Sequence, residues 1–351
     1  LQGCIHIPSR VIEVNSRSSH ERAAGRMPAR DLHQFRSSIK KSAHTGDRST
    51  RYGECFDILS SFPAPSNGGV NFHDSEKHHY RDGSYQFYQT QRPLRPASCR
   101  ISSTIENLQK EERMFQVKIC GVTSPKDACL AAVAGADCIG LNFVPGSPRC
   151  ISAETAHTIR TSLPAGVNVV GVFAGASSDV IHHIVSSVGL DAVQLHGHLS
   201  KESSDQSFVD TPELCHQLKP IPVIRAIRLN PSSQSNDCLA AARQWLDAAM
   251  QLGHPPVMAI VDAPVSRETT SGELGGTGAM VDWTTVSKSK PLSVPMALAG
   301  GLTAENVATA IRTSGLRAVD TASGVESSPG QKDEEKLFRF VHAARLALQN
   351  D

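Results

Sequence analysis

From Phe115 onward the chain alternates short apolar runs with longer amphipathic segments, eight times over. The runs are FQVKIC (115–120), DCIGLNF (137–143), NVVGVFA (168–174), DAVQLH (191–196), PVIRAIRL (222–229), VMAIVDA (257–263), PMALAGG (295–301) and RAVDTAS (317–323). Runs of this length, rich in Val and Ile and bounded by Gly, Pro and Asp, predict strands buried on both faces, as in a parallel sheet. Between them, segments such as SPKDACLAAVAGA, SAETAHTIRTSL, SSDVIHHIVSSVG, NDCLAAARQWLDAAMQLG, TAENVATAIRTSG and KDEEKLFRFVHAARLAL predict helices. Several open on Ser, Thr or Asn, whose side chains can cap a helix N-terminus. The helices after the fourth and sixth strands leave the weakest pattern. Eight strand–helix units in about 237 residues match the size and rhythm of an α/β fold of the (β/α)8 TIM-barrel type. An open doubly wound sheet is the alternative, and the repeat count argues against it.

Residues 1–113 carry no sustained periodicity. They are rich in Ser, Arg and His, as in SRSSHERAAGRMPARD, and such a segment buries too little apolar surface to offset its ordering entropy. The domain reading is a low-order extension over 1–113 and a barrel over 114–351. His73, His78 and His79 cluster in the extension, but no predicted element fixes their geometry, so they read as solvated histidines rather than metal ligands.

Composition narrows the function classes. The chain has 351 residues, 39% of them hydrophobic and 20% charged, with a net charge of +1. Neither nucleic acid nor a membrane is an expected partner, because the overall charge is balanced and no apolar run approaches the roughly 20 residues of a membrane span. The halves differ in sign: residues 1–113 hold 17 Lys/Arg against 12 Asp/Glu, and the remainder 18 against 22. Nine cysteines without CxxC spacing read as reduced thiols of a reducing compartment. The expected location is the cytoplasm, or a plastid if residues 1–113 are a transit segment.

In a barrel of this kind the reactive groups gather at the C-terminal ends of the strands. Strand one ends in Cys120, strand four in His196 and strand six in Asp262, and strand eight carries Asp320. Strand alternation turns Val117 and Ile119 toward the outer helices, and so turns Lys118 and Cys120 toward the axis. The same parity turns Ile260 and Asp262 inward. A thiol and a carboxyl group thus converge over the mouth, where they can serve as base and acid if their pKa values are suitably shifted. A cysteine within a strand is more often a small buried hydrophobe, the reading given to Cys129 and Cys138. Cys120 differs in being terminal, inward and followed by Gly121. His196 could be only a hydrogen-bonded mouth residue, and Asp320 a structural cap. Three glycine clusters follow strands six to eight: GELGGTGAMVDW (272–283), ALAGGLTAEN (297–306) and SGVE (323–326). Glycines let backbone N–H groups approach an anion, and the loops after strands seven and eight are the usual phosphate grip of such barrels.

VKICGVTSPKDA, SPRCIS, VGVFAG, VQLHG, GGTGAMVDW, LAGGLTAENV and VDTASGVESSPGQKD occur in this order. Together they resemble the phosphoribosylanthranilate isomerase family of tryptophan biosynthesis, over about two-thirds of the chain. The resemblance implies a cofactor-independent (β/α)8 barrel acting on a small phosphoribosyl substrate, as a monomer with a dimer as the alternative. It implies the Amadori rearrangement of N-(5-phosphoribosyl)anthranilate, with Cys120 as general base and Asp262 as general acid. It places Arg149 at the anthranilate carboxylate and His196 at the substrate, in a role it leaves open. The phosphate would rest on Gly276, Thr277, Gly278, Gly300, Gly301, Ser323 and Gly324. Lys118 and Asp320 are also expected near the substrate, Lys118 as electropositive support for the thiolate. The chain departs from the family pattern at Ala299, Cys150, Thr321 and Ala322, and residues 200–212 read as an insertion.

Two rival functions follow from the same pattern. A histidine-pathway sugar isomerase performs the same rearrangement with a carboxylate pair, which Cys120 opposes. An inactive phosphate-binding barrel would have no reason to keep both Cys120 and Asp262. Met114 stands directly before the first strand, and KEERM (110–114) is what a reading frame spells across a purine-rich ribosome-binding sequence. The expectation is an enzyme that begins at Met114; a transit peptide is the rival, opposed by the acidic residues and the length of the segment.

Overall fold

The computed structural model describes residues 113–198, 209–229, 237–262 and 282–349. All eight expected strands form: β1 (Val117–Cys120), β2 (Cys138–Asn142), β3 (Asn168–Phe173), β4 (Ala192–Leu195), β5 (Val223–Arg228), β6 (Met258–Asp262), β7 (Met296–Leu298) and β8 (Val319–Thr321). They pair in parallel, each with its sequence neighbours, and β1 pairs with β8 to close the ring. Helices lie between successive strands and after the last: α1 (Pro125–Ala134), α2 (Ala153–Ser162), α3 (Ser178–Val188), α4 (Pro212–Gln217), α5 (Ala240–Gln251), α6 (Trp283–Lys288), α7 (Val307–Ser314) and α8 (Glu334–Gln349).

The first four helices begin where side-chain oxygens are placed to cap them. Ser124, Ser152, Ser177 and Thr211 accept from backbone N–H groups of the first turns of α1 to α4, satisfying donors that have no partner inside the helix. The inward helix faces follow the 3.6-residue period. On α5 it is Ala242, Trp245, Leu246 and Ala249, and on α8 Leu337, Phe340, Val341, Ala344 and Leu348.

Strand alternation divides the core into two compartments. Val117, Ile119, Ile139, Leu141, Val193, Ile227, Val261 and Val319 face the helices and share one cluster with them. Cys138, Val170, Ala192, Ile224, Met258, Ile260, Ala297 and Ala318 fill the barrel interior. At the base of the ring, Asp137 accepts from the N–H groups of Gln116 and Val117 at 2.9 and 3.0 Å. Arg345 of α8 binds that same Asp137 and the Gly135 carbonyl. The last helix is thereby tied to the roots of the first two strands.

After β8 the chain makes a short 3-10 turn, Ser323–Val325, and then an antiparallel hairpin of β9 (Glu326–Ser328) and β10 (Gln331–Lys332). The pattern of apolar residues did not reveal this hairpin, because neither strand has enough residues to show a period.

Candidate active site at the barrel mouth

Register explains the first contact of the site. Lys118 on β1 is the lateral partner of Asp320 on β8, and the same parity turns both inward. The Lys118 ammonium donates to Asp320 Oδ1 at 2.9 Å, with the lysine fully buried. Burial works against the ammonium, but the Asp320 carboxylate and the nearby thiol outweigh it and hold its pKa above the ordinary lysine range. Asp320 is therefore the counter-ion of Lys118 rather than a cap on backbone N–H groups.

One residue pair higher, Cys120 lies beside Gly140 of β2. A Cβ on Gly140 would stand 2.7 Å from the Cys120 Sγ and 3.1 Å from the Lys118 Nζ. The missing side chain is what makes room for thiol and ammonium to share this corner. Burial pushes the thiol pKa up, Lys118 and Lys332 pull it down, and Asp320 adds to the rise. The net shift is upward, so the expected help from Lys118 is present but does not overcome burial.

Across the mouth, His196 Nε2 lies 3.3 Å from Asp262 Oδ2. The contact is within reach of an ion pair but poorly aligned, and Nε2 has no aligned hydrogen-bond partner among the described residues. Burial lowers the His196 pKa, opposed by Asp262 and assisted by the charge of Arg228. Burial therefore favours the neutral form of the imidazole. Arg228 is the lateral partner of Asp262 across β5 and β6 and donates to the His196 carbonyl at 3.3 Å. Arg228 went unnoticed in the sequence, although its inward parity at the end of β5 could have signalled it.

Below this group, a buried network fixes the loops after β3 and β4. Arg225 faces away from the axis, donates to the Leu195 and Gly197 carbonyls at 2.7 and 2.8 Å, and lies 5.0 Å from the centre of the Trp245 ring. Asp210 accepts from the N–H groups of Gly175 and Gly197 and pairs with Arg225. Burial, opposed by Asp210, lowers the Arg225 pKa to about 10. The expected insertion, residues 200–212, thus contains a residue that anchors the peptide after His196.

Arg149, after β2, is buried rather than a surface loop arginine. Its Nε and Nη2 donate to the two Glu326 oxygens at 2.9 and 2.7 Å. Lys332 of β10 donates to the same carboxylate at 2.8 Å and to the Cys120 carbonyl at 2.6 Å. Glu326 and Lys332 lie in the motif VESSPGQKD, where the apolar pattern assigns them no role. An acid and a lysine flanking a Ser-Pro-Gly turn was the available signal.

On the phosphate side, Gly300 and Gly301 take φ values of 84° and 63° at the tip of β7. Asn306 holds this loop, donating to the Gly301 carbonyl and accepting from Thr303 N. Gly324, after β8, packs so closely that a Cβ would fall 1.8 Å from the Leu302 carbonyl oxygen. Thr321 donates its hydroxyl to that same carbonyl at 2.8 Å, which accounts for a threonine at this departure from the family pattern. Ser323 opens the 3-10 turn beside it. Gly276, Thr277 and Gly278 lie outside the described residues, as do His73, His78 and His79. Among the described residues no group of three His, Cys, Asp or Glu is placed to hold a metal ion.

The barrel residues of this chain are similar to known proteins. Residues 117–343 match the family profile described as "PRAI: N-(5'phosphoribosyl)anthranilate (PRA) isomerase". The N-(5'-phosphoribosyl)anthranilate isomerase of Neisseria meningitidis serogroup A is 38% identical over 235 residues, covering 66% of this chain and 97% of the relative. The crystal structure of phosphoribosyl anthranilate isomerase from Thermotoga maritima aligns with a TM-score of 0.52 at 32% identity, covering 66% of this chain and 99% of its own. A structure of such an isomerase in complex with reduced 1-(o-carboxyphenylamino)-1-deoxyribulose 5-phosphate aligns at 0.50 and 30% identity, with the same coverage. A closed eightfold barrel with this mouth, matched across nearly the full length of its relatives, belongs to the phosphoribosylanthranilate isomerase family.

Proposed function

We infer that this chain is a phosphoribosylanthranilate isomerase, converting N-(5-phosphoribosyl)anthranilate to 1-(2-carboxyphenylamino)-1-deoxyribulose 5-phosphate in L-tryptophan biosynthesis. The observation that carries the mechanism is the pairing of an inward thiol at the end of β1 with an inward carboxyl group at the end of β6. Asp262 protonates the ribose ring oxygen as the C1–O bond breaks, giving an open-chain Schiff base. His196 lies beside it, 3.3 Å from the carboxyl oxygen. Iminium character at C1 acidifies the C2 proton, which the Cys120 thiolate removes. The enolamine then tautomerises to the ketone, C1 gaining the proton that the C2 hydroxyl loses, and Asp262 and Cys120 regain their starting protonation by exchange with solvent.

The remaining residues supply binding. Arg149 offers its guanidinium to the anthranilate carboxylate. His196, with its unaligned Nε2, is a hydrogen-bonding partner for the open-chain sugar. The Lys118–Asp320 pair lies beneath the reacting carbons and supports the thiolate from below. Backbone N–H groups at Gly300, Gly301, Ser323 and Gly324 receive the phosphate, and the loop of Gly276, Thr277 and Gly278 completes that grip. The bacterial relatives and the six described cysteines, none of them in a disulfide, fit a cytoplasmic enzyme. No helix among the described residues is long and apolar enough to cross a membrane. A monomer is the expected assembly, with a dimer as the alternative.

Loss of phosphoribosylanthranilate fluorescence, with substrate made in situ, tests this reading. Cys120→Ser and Asp262→Asn should each lose most of the turnover while still folding and binding a reduced product analogue. Near wild-type turnover in either variant sinks the acid–base assignment. Arg149→Ala should cost about 1.5–3 kcal/mol of binding, roughly tenfold or more, and leave inhibition by inorganic phosphate unchanged. Equal loss of phosphate inhibition would move Arg149 to the phosphate end.

A further inference from the structure

The catalytic scheme gives Arg149 a task but none to its buried partners, Glu326 and Lys332. Arg149, Glu326 and Lys332 are all buried, at 7%, 6% and 7% exposure. A single carboxylate binds both cations, through the contacts of 2.9 and 2.7 Å to Arg149 and 2.8 Å to Lys332. Lys332 extends the chain of contacts to the Cys120 carbonyl at 2.6 Å and the Ala322 carbonyl at 3.2 Å. Glu326 thus connects the arginine after β2 with the end of the catalytic strand and the segment after β8. The arginine stem is confined as well. Gly121 has φ 69°, and a Cβ there would come within 2.4 Å of the Arg149 Cδ. Arginine has many rotamers, and here the stem lies against a glycine while the Nε edge is gripped bidentately. A planar guanidinium held by one edge has the direction of its other edge fixed.

We propose that Glu326 is a positioning residue for the isomerisation, holding Arg149 so that the carboxylate of the substrate meets a cation already fixed in place. The proposal rests on the reading of Arg149 as the anthranilate contact. Its physical basis is preorganisation: an arginine that must be ordered at the moment of binding loses part of the affinity its charge could give. The carboxylate also balances one of the two cations in a site that an anionic ligand enters, which keeps the free protein from burying two unpaired positive charges. A cluster that served stability alone would shift the unfolding temperature without separating the two ends of the substrate.

Steady-state kinetics on Glu326→Gln, Arg149→Ala and the double variant separate these roles, with thermal unfolding and inorganic phosphate inhibition measured on each. Glu326→Gln is expected to raise KM about fivefold or more, with kcat and phosphate inhibition changed by less than about threefold. Because Glu326 acts through Arg149, the double variant should have the KM of Arg149→Ala alone, a coupling expected of residues in direct contact. If Arg149→Ala raises KM and Glu326→Gln does not, or if the two effects multiply in full, the positioning role is overturned while the substrate assignment stands. If Arg149→Ala itself leaves KM unchanged, both fall. Should Glu326→Gln fail to fold, Glu326→Asp carries the test, since it keeps the charge but withdraws it by one methylene. A rise in KM supports positioning, and an unchanged KM overturns it.

Discussion

At the scale of single residues, Cys120 shows how far a strand pattern reaches. Its inward direction followed from the alternation of Val117 and Ile119, and the closeness of Lys118 followed from the same parity. Its pKa did not, because that depends on how completely the ring encloses the thiol and on cations arriving from distant segments. Lys332 in particular comes from the far side of β8. The upward shift carries a prediction. The thiolate is the nucleophilic form, so alkylation of Cys120, followed by mass spectrometry of its peptide, should keep accelerating as pH rises past the range of a free thiol. Lys118→Met should move that curve to still higher pH, since it removes a cation that favours the thiolate. A half-point below about 8.5, the reference thiol value, would contradict the dominance of burial. The nearby Gly140 was not legible either: its importance lies in the space it leaves for Sγ, and a glycine in a strand does not announce its neighbour.

Among elements, the long periodic helices and all eight strands were readable because each presents a face to a core. The short helices α4 and α6, of 6 residues each, left little periodicity to read. The hairpin of β9 and β10 was missed for the same reason, and with it Glu326 and Lys332. Its stability should depend on acidity in a defined direction. Burial raises the Glu326 pKa, but Arg149 and Lys332 together hold it below the ordinary glutamate value. A carboxylate with a depressed folded-state pKa contributes stability that is present above its unfolded pKa and lost as pH falls through the folded one. Acid unfolding followed by circular dichroism should therefore show stability dropping below about pH 4, near the unfolded glutamate value. Glu326→Gln should be less stable at neutral pH and should flatten that drop. An acid limb identical in slope to the wild type would show that the cluster does not couple to proton uptake.

For the whole molecule, the relatives are covered to 97% and 99% of their lengths by about two-thirds of this chain. The barrel closes among residues after Met114, whose carbonyl accepts from Asn168 Nδ2 at 2.9 Å. A chain beginning at Met114 is therefore expected to unfold in one cooperative transition and to isomerise as fast as the full chain. Loss of activity on that truncation would show that the upstream residues support the barrel. Ring closure has a consequence for how the protein is made. The first barrel strand to leave the ribosome has its second neighbour 202 residues downstream, since Val117 pairs with Val319 and Lys118 with Asp320. Until that carboxylate arrives, folding β1 inward would bury an uncompensated ammonium, which is strongly unfavourable. Synthesis runs from the N-terminus at about 5–20 residues per second, so this strand waits in water for roughly ten seconds or more. The buried pair beneath the thiol can therefore form only when the last strand closes the ring against the first.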